Sequence, residues 1–195
     1  MARVELAVYS LLEVFHKYAA IEGDLLQLNI RELQTLLQRE LPTIKQDDPL
    51  SEMDSNHDGE VDFEEFIIFI TKSTASKWES YVRQLLKGTR NEKLEDETST
   101  EKAMTVLIQT FLQYASKEGN PLCLEIKEMK HLLKAEMPTL YKCFTSHHRR
   151  TAEIMKMLDT DGNGEVDFKE FMTFIAKFAL AVDMAVIRTV ASSGT

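Results

Sequence analysis

The sequence has few cysteines and lacks a long, uninterrupted apolar run. Its 195 residues include only two cysteines, Cys123 and Cys143, which are too few for a stapling pattern. The apolar segment from residue 171 to 190 is interrupted by charged side chains, which disfavours a membrane span. The first nine residues include Glu5 and lack the unbroken apolar core of a signal peptide. We therefore expect a soluble, cytoplasmic protein with no integral membrane segment.

Basic charge and catalytic motifs are also scarce. The net charge is -9 and the pI is about 5.1, so no basic surface is expected that could displace counterions from nucleic-acid phosphates. The sequence contains no Gly-x-Ser-x-Gly elbow, no phosphate-binding glycine loop and no His-Glu-x-x-His motif. We expect neither nucleic-acid binding nor enzymatic activity.

Acidic residues at a fixed spacing are what the sequence does contain. Residues 159–170 read DTDGNGEVDFKE, which is the pattern of a twelve-residue EF-hand loop. In such a loop, side chains at positions 1, 3 and 5 bind calcium, position 7 offers its carbonyl, position 9 acts through water, and a glutamate at position 12 closes the site. An ordinary turn needs no acids at these positions and no glycine at position 6. The predicted ligands are Asp159, Asp161, Asn163, Glu165, Asp167 and Glu170.

The same pattern occurs a second time, nearer the N-terminus. Residues 54–65 read DSNHDGEVDFEE, with Gly59 at position 6, where a positive φ is needed. Two matches at this spacing predict two calcium sites in one chain. The predicted ligands of this second site are Asp54, Asn56, Asp58, Glu60, Asp62 and Glu65.

The apolar pattern shows that the chain contains an internal repeat. An amphipathic stripe predicts a helix over residues 3 to 18, and the same stripe returns 96 residues later. The first stripe is Val8, Leu11, Leu12, Phe15 and Tyr18, and the second is Met104, Leu107, Ile108, Phe111 and Tyr114.

Further helices are expected around this repeat. A second helix is predicted from Ile30 to Leu41 and ends before Pro42, and a short third helix is predicted near residues 50–53. A fourth begins around Phe66 and continues past Trp78 as one helix or two.

The composition predicts the boundary between the two repeats. Residues 87–97 have the composition of a linker, and Thr98 with Glu101 forms the sequence pattern of a capping box. We predict an all-α protein with a first unit over residues 1–88, a linker over 89–97 and a second unit over 98–195.

A four-helix unit with an atypical first loop, a hinge and a standard second loop resembles the S-100 family of EF-hand proteins, of the calgranulin and calcyclin type. The chain resembles two such units in tandem. Because these proteins pair through their first and last helices, the resemblance implies that the two units pair within one chain as a pseudo-dimer. A linker gives the second unit an effective concentration of about millimolar, so we expect a monomer.

The resemblance also implies that the first loop of each unit binds calcium, mainly through backbone carbonyls at positions 1, 4, 6 and 9 and a glutamate at position 14. Spacing alone would make these segments ordinary loops. The implied ligands are Ala19, Glu22, Asp24, Gln27 and Glu32 in the first unit, and Ala115, Glu118, Asn120, Cys123 and Glu128 in the second.

These variant loops carry further expectations. Leu28 and Leu124 would pair with Val61 and Val166. Asn120 precedes a proline, so its backbone is biased toward an extended form. A nine-residue insertion lies within residues 139–151 of the second hinge.

The function implied by the resemblance is that of a calcium sensor, which opens apolar grooves for target proteins or amphipathic peptides. A calcium buffer is the alternative. The groove candidates could equally fill the core or the contact between units. They are Ile44, Leu50, Phe66, Ile70 and Trp78 in the first unit, and Met155, Met157, Phe174, Phe178, Val182 and Met184 in the second. Zinc binding is left open, with His16, His131, Cys143, His147 and His148 as candidates.

Overall fold

Helices make up most of the computed structural model, which describes residues 2–22, 24–44, 53–86, 97–115, 120, 122–146 and 156–193. The helices are α1 (Arg3–Ala19), α2 (Ile30–Glu40), α3 (Phe63–Leu86), α4 (Ser99–Ala115), α5 (Ile126–Glu136), α6 (Pro138–Ser146) and α7 (Phe168–Ser193). The strands have two residues each and are β1 (Gln27–Leu28), β2 (Val61–Asp62), β3 (Cys123–Leu124) and β4 (Val166–Asp167). The predicted all-α class is confirmed.

The helix ends follow the sequence signals closely. Asn29 caps α2 by accepting from the amides of Arg31 and Glu32, and the Glu32 carboxylate accepts the amide of Asn29 in return. The capping box predicted ahead of α4 is present, since the Glu101 amide donates to Thr98 Oγ1 at 3.2 Å and the Thr98 amide donates back at 3.4 Å.

The structure settles one helix that the sequence left open and adds one that was not predicted. The helix that follows the loop of residues 54–65 is one continuous element, α3, of 24 residues. Helix α6 was not predicted, because the segment was interpreted as a hinge. It begins at Pro138, where the ring fixes a helical φ and the absent N–H is not needed. The predicted helix near residues 50–53 lies outside the described residues except for Met53, which is helical.

The loops are joined in pairs by the short strands. Leu28 lies opposite Val61 in the β1–β2 pair, and Leu124 lies opposite Val166 in the β3–β4 pair. All four side chains are fully buried, so each pair holds a variant loop against a standard loop over the core. This pairing was predicted and is confirmed.

The two halves of the chain share one apolar core. Helix α1 of the first half packs on α4 of the second, and α3 packs on α7. Phe15 and Phe66 are fully buried in the first half, and Phe111 and Phe171 are fully buried at the matching places in the second. The two units are therefore joined through their first and last helices. In the described part of the chain, no helix combines the length and apolarity needed to cross a membrane.

Candidate calcium centres

The loop of residues 159–170 brings its acidic side chains together at the start of helix α7. Carboxylate oxygens of Asp159, Asp161 and Glu170 all lie within 4.8 Å of one another. Asp159 accepts the amides of Asn163 and Gly164 at 3.0 and 2.9 Å, which wraps the loop around its first residue. Asp161 also accepts the amide of Asn163 at 3.0 Å. The arrangement is a cluster of hard oxygen ligands, which are the ligands that calcium prefers.

Glu170 closes this loop from the first turn of α7. Its Oε1 accepts the Thr160 amide and the Thr160 hydroxyl, both at 2.7 Å, and its Oε2 accepts the Asp167 amide at 3.1 Å. Burial alone would raise the pKa of Glu170, but these hydrogen bonds, with one from the Asp161 amide, lower its pKa overall. The side chain is thus held as a buried carboxylate, as a calcium ligand must be.

The loop of residues 54–65 repeats the arrangement. Asp54 accepts the amides of Asp58 and Gly59 at 3.2 and 2.9 Å. Glu65, which is buried, accepts the Ser55 amide at 2.8 Å and the Ser55 hydroxyl at 2.9 Å. The contacts of Asp54 and Glu65 therefore match those of Asp159 and Glu170.

Other predicted ligands of the standard loops lie along the same turn. The Glu60 amide donates to Asp58 at 2.9 Å, and the Glu165 amide donates to Asn163 at 2.8 Å. Asp62 and Asp167 accept the amides of the closing glutamates, and Asn56 accepts the amide of Asp58. Calcium fits the residues of both loops.

Backbone conformation explains why glycine stands at position 6 of both loops. Gly59 and Gly164 have φ values of 87° and 88°, where a side chain would be strained. Position 4 also has a positive φ, at 76° in Gly162 and at 62° in His57.

The first variant loop is organised by Glu32. This buried carboxylate accepts the amides of Glu22 at 2.8 Å and Asn29 at 3.0 Å. Asp24 accepts the amide of Leu26 at 2.9 Å, and Gln27 reaches Asp58 of the standard loop at 3.5 Å. Ala19 is buried at the end of α1. Glu32 therefore sits at the closing position that the resemblance assigns to it.

The second variant loop is described only in part. Glu118 lies outside the described residues. Glu128 is buried and accepts the amide of Glu125 at 3.1 Å, and Asn120 accepts the amide of Leu122 at 3.1 Å. Cys123 lies opposite Asp167 in the β3–β4 pair, and Ala115 is the buried last residue of α4.

Sequence reasoning missed the residues at position 2 of the standard loops. Ser55 and Thr160 each give the closing glutamate an amide and a hydroxyl donor. The signal was present, because both loops have a hydroxyl side chain at this position.

The described zinc candidates are His16, which has other partners, and His131, which is exposed. His16 contacts Asp183 and the carbonyl of Leu25 at 2.8 Å each, and the side chain of His131 is exposed. No clustered group of three donors containing a histidine occurs among the described residues. His147 and His148 lie outside those residues, as does the side chain of Cys143.

Comparison with known proteins agrees with this geometry. The family model for the S-100/ICaBP type calcium binding domain matches residues 4–47 and again residues 100–143. EF-hand models match residues 48–70 and 151–178, which contain the two standard loops.

Individual relatives show the same similarity. The chain is 38% identical to protein S100-A5 of Rattus norvegicus over 85 residues, which are 44% of this chain and 88% of that protein. It is 36% identical to protein S100-A5 of Homo sapiens over 86 residues, again 44% and 88%. Identity to protein S100-G of Equus caballus is 48% over 65 residues, or 31% of this chain and 82% of that protein. The chain belongs to the S-100 family of calcium-binding proteins and contains two S-100 domains in tandem.

Proposed function

We propose that the chain is a calcium sensor, which converts calcium binding into the exposure of an apolar surface for target proteins or amphipathic peptides. Calcium would bind in the two standard loops, residues 54–65 and 159–170, and would bind more weakly in the two variant loops. Calcium would supply positive charge that relieves the repulsion among the clustered carboxylates. We propose that the chain is not an enzyme.

One observation carries the proposal of a sensor. Glu65 and Glu170 belong to the first turns of α3 and α7. Each carboxylate nevertheless accepts a hydrogen bond from the amide of the second loop residue, Ser55 or Thr160. Each of those residues lies two positions after the last residue of the preceding helical segment, which is Met53 in one loop and Leu158 in the other. A change in how the glutamate is coordinated is thereby passed to the helix that enters the loop. A buffer would bind calcium without this movement.

The groove candidates of the second unit support the proposal. Phe174 and Phe178 are buried, while Met157 and Met184 are 43% and 53% exposed. Movement of the entering helix, which ends next to Met157, would uncover apolar surface beside methionines that adapt to varied partners. Val182 is half-buried, and Met155 lies outside the described residues.

The groove candidates of the first unit are more deeply placed. Phe66 and Ile70 are fully buried, and Ile44 packs at the edge of the core. Trp78 lies in the contact between units, as the alternative interpretation allowed. Leu50 lies outside the described residues. We therefore propose the second unit as the principal site of target binding.

We also propose that the protein acts as a monomer, with units 1–88 and 98–195 and a linker over 89–97. Packing of α1 on α4 and of α3 on α7 supports this arrangement, because the pairing surfaces of both units are used within the chain. Free Cys123 supports a reducing compartment such as the cytoplasm.

The test is the response of an environment-sensitive hydrophobic probe during a calcium titration. We expect probe fluorescence to rise with calcium in the parent protein and the rise to be reduced in Glu65→Gln and in Glu170→Gln. Glu64→Gln is the matched control, because Glu64 is the exposed neighbour of Glu65 and its substitution removes the same charge. Calcium binding with no probe response in the parent protein would make it a buffer.

A further inference from the structure

We infer that the contact surfaces of the two units are specific for each other, so that the first unit accepts the second unit and each rejects a copy of itself. The inference rests on the contacts between the units and is independent of the proposed sensor function. It concerns the partner that the α1/α3 surface of the first unit selects. That partner is the α4/α7 surface of the second.

A polar pair joins the units on one side of the interface. His16 on α1 lies 2.8 Å from Asp183 on α7, through Nε2 and Oδ1. The other ring nitrogen of His16 lies 2.8 Å from the carbonyl oxygen of Leu25 in the first variant loop. Both partners are hydrogen-bond acceptors, and the ring can donate to Asp183 through Nε2. The Asp183 side chain is only 9% exposed, so His16 supplies the donor that a buried carboxylate needs.

The equivalent place on the other side of the interface is apolar. The repeat aligns His16 with Leu112 and Asp183 with Trp78. Trp78 stacks on Phe168 with ring centroids 4.2 Å apart and meets Phe111 edge-on at 5.3 Å. The two sides of one pseudo-twofold interface thus use different chemistry, a hydrogen-bonded polar pair on one side and an aromatic cluster on the other.

Pairing of like units would mismatch these side chains. Two second units packed in the same way would place Asp183 against Leu112 on both sides, which leaves two buried carboxylates without donors. Two first units would place His16 against Trp78 and lose the carboxylate partner. Only the unlike pair satisfies both sides.

Two further contacts disfavour a pair of second units, but not a pair of first units, because Glu40 and Glu5 of the first unit are aligned with Glu136 and Glu101. Arg3 of the first unit donates to Glu136 of the second at 2.6 Å, whereas the residue aligned with Arg3 is Ser99. Lys77 lies 3.7 Å from the buried Glu101, whereas the residue aligned with Lys77 is Val182. A pair of second units would lose both contacts in addition to the histidine.

Some contacts between the units occur on both sides of the interface and do not discriminate between like and unlike pairs. Glu101 accepts the hydroxyl of Thr43, and the aligned Glu5 accepts the amide of Thr139 at 2.7 Å. A common set of contacts therefore holds any S-100-like pair together, and the His16–Asp183 pair, which is mismatched in both like pairs, selects the unlike one. If two whole chains dimerise at high concentration, we expect the first unit of each chain to pair with the second unit of the other chain.

The experiment uses the full chain with a protease site introduced in the linker at 89–97. The folded protein is cut, unfolded in urea and refolded by dilution, and the pairs are counted by native mass spectrometry, since the two units differ in mass. Random pairing would give about half unlike pairs. We expect the unlike pair to exceed each like pair by about tenfold or more, consistent with the cost of an unpaired buried charge. A random distribution would overturn the inference.

A variant identifies the residue responsible. In Asp183→Leu the buried carboxylate is gone, and we expect pairs of second units to increase by about fivefold or more. Glu13→Leu is the control, because Glu13 is an exposed acid on α1 and should leave the distribution unchanged. An unchanged distribution in Asp183→Leu would contradict the assignment.

The intact chain provides a second measurement that does not require refolding of the cut protein. Urea unfolding of His16→Leu, Asp183→Leu and the double variant forms a thermodynamic cycle. We expect the double variant to be more stable than His16→Leu, in which Asp183 has no histidine partner. The coupling between the two residues should be about tenfold in the unfolding equilibrium constant. Additive effects would show that the pair does not select the partner.

Discussion

Trp78 stacks face to face on Phe168, with ring centroids 4.2 Å apart and ring planes inclined by 8°. The contact joins the last helix of the first unit to the first residue of the last helix of the second. Trp78 is the only tryptophan in the chain. It therefore both stabilises the contact between the units and reports on it by fluorescence.

Removal of this ring should weaken the whole molecule. We expect Trp78→Ala to lower the free energy of unfolding by about 2 to 3 kcal/mol, near the low end for aromatic truncation because Trp78 is only half-buried. Urea unfolding followed by circular dichroism measures the change. Trp78→Phe keeps an aromatic face on Phe168 and should lose less than half as much. Equal losses in the two variants would show that the stacking contributes nothing.

Thr110 offers a stabilising substitution. Its hydroxyl is buried on α4 and has no hydrogen-bond partner among the described residues, whereas the aligned residue of the first unit is Val14. Because a buried, unpaired hydroxyl costs free energy, we expect Thr110→Val to raise the free energy of unfolding by about 1 kcal/mol.

The matched control for Thr110 is Thr74, which is equally buried. Thr74 donates to the carbonyl of Ile70 at 2.7 Å, so Thr74→Val removes a hydrogen bond and leaves an acceptor with one fewer donor. We expect Thr74→Val to destabilise the protein. If the two valine variants shifted stability in the same direction, the difference in hydrogen bonding would not be the cause.

Cys123 should be a poorly reactive thiol. Burial, followed by a hydrogen bond to Glu165 and the charges of Glu165, Asp167 and Glu170, raises its pKa to about 11. Since the thiolate is the reactive form, alkylation of Cys123 by iodoacetamide at pH 8 should be about 100-fold slower than that of an ordinary thiol. The measurement is made in a Cys143→Ser background, with the urea-unfolded protein as the reference rate.

Calcium should accelerate the alkylation of Cys123. Positive charge in the adjacent standard loop would offset the three carboxylates, and the remaining elevation of the pKa would come from burial. Glu165→Gln should give part of the same acceleration without calcium, while its backbone carbonyl stays available. A folded-state rate equal to that of the unfolded protein would contradict the half-buried, acid-flanked environment of Cys123.

The sequence was sufficient to predict features that depend on local spacing. Gly59 and Gly164 adopt the positive φ that position 6 requires, and Thr98 caps its helix as its spacing from Glu101 predicted. The pairing of Leu28 with Val61 followed from the resemblance and is also confirmed. Each of these features is set by a few neighbouring residues or by a repeated loop geometry.

The pairs across the units could not be predicted in the same way. Helical periodicity shows that His16 lies on α1, but it does not say which residue of α7 it meets, because that depends on how two helices from different units pack. His16 was accordingly considered as a zinc ligand, and Trp78 as part of a groove, of the core or of the contact between units. Helix α6 was missed because its segment was interpreted as a hinge, although Pro138 suits the first position of a helix.

Isothermal calorimetry of calcium binding to the intact chain, Glu65→Gln and Glu170→Gln tests the central claim most directly. We predict two strong sites in the parent protein and the loss of one strong site in each variant, because each closing glutamate gives up a ligand oxygen in its own loop. Glu64→Gln should retain both sites. Unchanged binding in both glutamine variants would contradict the assignment of the two standard loops as the calcium centres.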